Sequence, residues 1–115
     1  MTNSKRTASI ELIEGVAEVD IPQIKLYRNT DRKSGEALFL FNNPQSIRDG
    51  KIDLIRKMVM IDKEGQILTS NVNIKVKKDN SFSIEAKYIW KSYLDFQRLM
   101  RFADRYSQSN TLITT

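Results

Sequence analysis

The sequence contains no cysteine and no histidine. The first absence excludes disulfides, thiolate nucleophiles and cysteine-ligated metals. The second excludes Ser-His-Asp triads and removes the usual general base at neutral pH. Without cysteine, the redox compartment leaves no mark on the chain. Glycine is scarce, at four residues in 115. Gly15, Gly35, Gly50 and Gly65 each fall in an expected turn, and neither a dinucleotide fingerprint nor a P-loop is present. No apolar run approaches the roughly 20 residues that span a bilayer. The opening stretch MTNSKRTAS lacks the hydrophobic centre of a secretory signal. Residues 1–8 are therefore expected to form a flexible leader, and the missing signal favours a cytoplasmic or equivalent organellar setting.

What is present suits one globular domain over residues 9–107, followed by a frayed tail at 108–115. The composition, 40% hydrophobic and 29% charged, is that of a soluble fold able to bury a core without cross-links. The formal net charge of +5 favours acidic partners: nucleic acid, anionic headgroups or an acidic protein surface.

Alternating apolar residues predict strands at Ser9–Glu14 and from Pro22 through Ile24 and Leu26. The continuous run Leu38, Phe39, Leu40, Phe41 predicts a strand covered on both faces. Residues 54–90 read as a three-stranded meander with turns at KEG and KKDNS. Pairing Val76 with Phe82 places Ile74 opposite Ile84, Val72 opposite Ala86 and Leu68 opposite Trp90, so that apolar meets apolar along the ladder. The other face carries Lys75, Lys77 and Lys87. Val59, Ile61, Ile67 and Ile89 share its parity, so part of it is expected to be covered by the N-terminal strands.

At residues 84–110 the period changes from two to three and four. Ser92 stands at an N-cap position with Asp95 three residues on. Phe96, Leu99, Met100, Ala103 and Tyr106 or Ser107 form the expected buried stripe, and Arg98, Arg101 and Arg105 share another face. The expected class is α+β: a mainly antiparallel sheet of about five or six strands, a half-sandwich, with one long C-terminal helix.

Chemistry-bearing motifs are few. Asp62 and Glu64 in DKEG lack the roughly six oxygen ligands that a hard divalent ion requires, so the stretch reads as a hairpin turn. No pair among the 14 acids is singled out for catalysis. The three helical arginines could clamp phosphate or carboxylate, or could be a solvated helix face. Phe39 and Phe41 could stack on RNA bases, but their strand is the most hydrophobic in the chain and reads as core.

The string EAKYIWKS…FQRLMRFADRYSQSN resembles the closing signature of the Psb28 family of photosystem II proteins. The matching positions are Glu85, Ala86, Tyr88, Trp90, Ser92, Phe96, Arg98, Met100, Arg101, Phe102, Arg105 and Tyr106. Three further blocks agree in order. They are GVAEVDIPQIKL with Gly15, Glu18, Ile21 and Pro22, SGEALFLFNNP with Gly35 and Pro44, and MIDKEGQI with Ile61, Asp62, Glu64 and Gly65. Phe96 stands where the family usually has Trp, KKDNS replaces an Asn-Gly-x-Pro turn, and the loop from Ile47 to Arg56 is more basic. These departures resemble those of a divergent paralogue or a plastid variant.

The resemblance implies a non-catalytic protein with no cofactor and no metal. It implies transient, peripheral binding at the cytoplasmic (stromal) side of the thylakoid membrane, as an assembly or repair factor. The implied partners are reaction-centre core subunits of immature photosystem II and a neighbouring core antenna subunit, with partner backbone adding to the protein's own sheet. Lys75, Lys77, Lys87, Arg98, Arg101 and Arg105 are the candidate partner-binding residues. If the arginines face the partner, charge reversal at Arg101 and Arg105 would abolish capture and leave the melting temperature nearly unchanged. A free strand edge would also permit a dimer. The alternative reading is a small basic RNA-binding module using a sheet face.

Overall fold

Two antiparallel sheets and a helix grow from the alternation described above. The structure is a computed structural model that describes residues 7–111, the side chains of Asn110 and Thr111 excepted. β1 (Ala8–Ile13), β2 (Val16–Ala17), β5 (Met58–Asp62) and β6 (Gly65–Thr69) form a first sheet in the order β2-β1-β5-β6. β3 (Gln23–Arg28), β4 (Gly35–Asn42), β7 (Val72–Val76) and β8 (Phe82–Trp90) form a second in the order β3-β4-β8-β7. A short helix α1 (Gln45–Arg48) and a 3-10 turn (Ile52–Leu54) connect the sheets, and α2 (Tyr93–Thr111) closes the fold. The α+β class, the antiparallel sheets and the long C-terminal helix are as expected, while the described residues hold eight strands rather than five or six.

The extra strands arise where one long strand was expected to run from Gln66 to Val76. The chain instead changes sheets at Ser70. Thr69 Oγ1 donates to Lys87 O at 2.6 Å and accepts from Asn71 N at 3.2 Å, and Lys87 N donates to Asn71 O at 2.9 Å. This corner satisfies the backbone groups that the break exposes. Leu68 therefore pairs with Val59 rather than with Trp90, whose partner is Gly35. The remainder of the expected register holds: Val76 with Phe82, Ile74 with Ile84, Val72 with Ala86. The same corner changes the parity argument. β1 lies beside β5 in one sheet instead of covering the lysine face, Ile67 joins the core, and Ile89 is 51% exposed.

The core fills the space between the sheets and α2. Ile10, Met58, Met60, Phe39, Ile84 and Trp90 are buried, and Leu99, Phe102 and Tyr106 enter from the helix. β4 alternates more than expected: Ala37, Phe39 and Phe41 face the core, whereas Leu38 and Leu40 are only half-buried on the far face. Ser92 Oγ accepts from Asp95 N at 3.1 Å, the expected cap. Phe102 lies outside the expected stripe yet is one of the deepest helical side chains. The helix is rotated so that its arginine flank reaches the β5–β6 turn, which brings Phe102 inward. α2 continues to Thr111, past the expected domain end at 107. Ala8, placed in the expected leader, is already paired with Asp62. Residues 1–6 and 112–115 of the expected leader and tail lie outside the described residues.

Candidate interaction surface

Arg98, Arg101 and Arg105 share a face as their spacing predicts, and that face turns to the protein's own β5–β6 hairpin. Arg98 donates to both oxygens of Asp62, at 2.9 and 2.6 Å. Arg105 Nη1 donates to Asp62 Oδ2 at 2.8 Å and to Glu64 Oε2 at 2.5 Å. Arg101 makes a bidentate pair with Glu64, both bonds at 2.8 Å. The Asp62 side chain is fully buried, while those of Arg98 and Arg105 are 19% and 20% exposed. DKEG is thus a hairpin turn, as expected, but its carboxylates anchor α2. Both halves of this clamp were visible in the sequence, as two acids on one turn and three arginines at helical spacing. Nothing in the sequence joined them.

The clamp fixes protonation. Burial opposes ionisation of Asp62, but hydrogen bonds from Arg98, Arg105 and the Glu64 backbone outweigh it and hold the carboxyl below its ordinary value. Glu64 is lowered from 4.5 to about 2, chiefly by its hydrogen bonds to Arg101 and Arg105. A carboxylate depressed in the folded state stabilises the fold above its unfolded pKa, and that contribution is lost as pH falls toward the folded value. Folding stability is therefore expected to decline from about pH 4.5 towards pH 2. Glu64→Gln should flatten that slope in denaturant titrations at several pH values. Identical slopes for the two proteins would remove Glu64 from the account.

The same geometry changes the expectation for charge reversal. Arg101→Glu with Arg105→Glu places four carboxylates around one turn and leaves Asp62 with Arg98 as its remaining cation. The melting temperature is expected to fall sharply instead of staying constant. An unchanged melting temperature would show that these ion pairs are not formed in solution.

Lys75, Lys77 and Lys87 lie on the outer face of the second sheet. Lys75 pairs with Glu85 at 3.2 Å, Lys87 with Glu36 at 3.7 Å, and Lys77 Nζ donates to Asn42 Oδ1 at 2.8 Å. Register places Lys25, Tyr27, Leu38 and Leu40 on this face too, together with Glu36 and Glu85, so lysines and carboxylates surround two half-buried leucines. Phe39 and Phe41, each 1% exposed, belong to the opposite, core face.

β3 forms one edge of the second sheet. All six of its residues are exposed, Tyr27 by 49%. Counting the ladder from the Asn29 N to Ser34 O bond (3.0 Å), Ile24, Leu26 and Arg28 turn their backbone N–H and C=O groups away from β4. Beneath the strand, Ile24 and Leu26 face Phe39, Met100 and Ala103 across an apolar hollow of about 90 Å³. The adjoining turn is held by structural acids. Buried Glu18 accepts from Ser46 Oγ and from Gln45 N (2.9 Å), and Asp20 accepts from Gln45 N (2.8 Å).

The family model described as Psb28 protein matches residues 10–113. The chain belongs to the Psb28 family. It is 47% identical to the photosystem II reaction center Psb28 protein of Prochlorococcus marinus strain AS9601, over 95% of this chain and 93% of that protein. The protein of the same name from strain MIT 9301 is 48% identical, over 97% and 95% of the two chains. That of Synechococcus sp. strain CC9902 is 42% identical, over 97% and 86%. The positions on which the resemblance rests include Glu18 at the α1 turn, Gly35 against Trp90, and Asp62 and Glu64 on the arginines. Among the described residues, no helix is long and apolar enough to cross a membrane, and no cluster of three or more acids forms a metal site.

Proposed function

We propose that this protein is a non-catalytic assembly or repair factor that binds immature photosystem II transiently from the cytoplasmic (stromal) side, as a peripheral component. The partners in this reading are reaction-centre core subunits and a neighbouring core antenna subunit. Membership of the Psb28 family, whose relatives carry photosystem II in their names, supports the system. The observation that carries the mode of binding is β3, an edge strand exposed along its whole length above an apolar hollow. An extended partner segment added there would satisfy the outward backbone groups and place alternate side chains beside Ile24 and Leu26. Lys75, Lys77 and Lys87 orient an acidic partner surface across the outer face, a role that suits on-rate and placement more than affinity. Arg98 and Arg105 move from the contact to the scaffold, because their side chains are largely buried against Asp62 and Glu64, whereas half-exposed Arg101 stays beside the lysines as a candidate for the contact.

The RNA-binding reading loses the aromatic residues it relied on, since Phe39 and Phe41 face the core. Affinity capture with the tagged protein from detergent-solubilised thylakoids tests the proposal. Core and antenna subunits are expected to co-purify. Recovery of RNA instead, with affinity falling steeply with salt in proportion to the phosphates contacted, would overturn it.

A further inference from the structure

We propose that one end of the second sheet, formed by the β3–β4 loop and the β8–α2 corner, is a contact site for an anionic lipid surface. The end is defined by the paired row Arg28–Gly35–Trp90. Loop 29–34 and residues 91–94 continue outward from this row, so strand pairing gathers Arg32, Lys33 and Lys91 with Tyr93 and Leu94. Leu94 is 75% exposed and Tyr93 54%, with half-exposed Ile89 just inside the row. Ile89 points from the outer sheet face, and Tyr93 and Leu94 are about 100° apart around the helix. Apolar groups distributed around a corner suit immersion in a fluid interface better than seating on one flat protein surface.

The charges agree. Arg32, Lys33 and Lys91 form no ion pair with the described residues. The acids at this end are Asp31, Glu36 and Asp95. Asp31 is turned into its own loop, accepting from Lys33 N (2.8 Å) and Ser34 N (3.0 Å) with the Lys33 charge beside it, and Glu36 faces Lys87 at 3.7 Å, so Asp95 is the acid left against the three cations. Arg32 adopts φ +61, a left-handed conformation that Gly or Asn takes with less strain. This inference goes beyond docking on photosystem II, and its test requires no photosystem.

The test is co-sedimentation of the full chain with vesicles of phosphatidylcholine, with and without phosphatidylglycerol. Binding is expected only with phosphatidylglycerol, and weaker at high salt. A cation near an anionic surface is worth about fivefold, so Arg32→Gly with Lys33→Ser should weaken binding roughly 30-fold. Leu94→Ser should weaken it about tenfold through lost apolar burial. Neither variant should lower the melting temperature. Lys75→Ser with Lys77→Ser removes the same charge at the opposite end of the sheet and should change binding little. Equal losses from the two ends would reduce the effect to indiscriminate attraction and overturn the proposal. So would absence of binding to phosphatidylglycerol vesicles, or binding only to membranes containing photosystem subunits, which would assign the corner to a protein.

Discussion

Trp90→Ala is expected to lower the unfolding free energy by about 3–5 kcal/mol, the range for removing a large buried aromatic side chain. The site leaves little scope for recovery. Trp90 is 1% exposed, its ring centroid lies 5.0 Å from that of Phe96, and its cross-strand partner Gly35 has no side chain to fill a void. Strand pairing on both sides of β4 keeps the backbone from closing over the gap. The pair is also intolerant of added volume. A Cβ on Gly35 would overlap both the Trp90 indole and the Tyr27 carbonyl oxygen. Gly35→Ala is accordingly expected to cost about 1–3 kcal/mol by overpacking. Because one of its two clashes is with backbone, combining it with Trp90→Ala should relieve only part of that cost. Denaturant titration of the two single variants and the double variant measures this coupling. A loss below about 1 kcal/mol for Trp90→Ala would mean that the indole is not a principal anchor.

Part of this fold follows from local rules and part does not. The Val76–Phe82 register followed from the requirement that apolar residues meet across a ladder, because a slip of one residue reverses every side chain. The Ser92 cap followed from local hydrogen bonding. Leu68 departs from the expected register because a corner at Ser70 conserves the alternation on either side of it while moving the chain into another sheet. Period-two patterns do not record such a jump. Glycine usually signals positive φ and so a turn, whereas at Gly35 the requirement is close approach of an indole ring. Arg98 and Arg105 were candidates for a partner because charge on a helix face gives no indication of what lies opposite. Their acids are 36 and 43 residues away in sequence, beyond any local rule. β3 was legible as a strand from the alternation of Ile24 and Leu26, but the exposure of its whole length is a property of topology and not of the strand itself.

Ile24→Pro is expected to abolish most capture of photosystem II subunits while leaving the fold nearly intact. The ladder geometry directs the Ile24 N–H outward, so proline there removes a donor that the protein itself does not use. Proline is tolerated on an edge strand, and the preceding Gln23 already has the extended conformation that proline imposes on its neighbour. An added partner strand would lose that hydrogen bond and meet the pyrrolidine ring at its closest approach. Lys25→Pro provides the contrast. Its N–H points to β4, and losing a ladder bond should lower the melting temperature by about 4–8 °C for each kcal/mol removed. Ile24→Ala keeps the outward N–H but shortens the side chain above the apolar hollow. It separates backbone pairing from side-chain packing, and it should retain more capture than Ile24→Pro. Wild-type capture by Ile24→Pro would exclude β3 as the docking edge. The corresponding substitution would then be Ile74→Pro in β7, whose N–H also points outward, counting from the Lys77 N to Ser81 O bond of 2.7 Å. Loss of capture there would move the added strand to the opposite edge, beside Lys75 and Lys77.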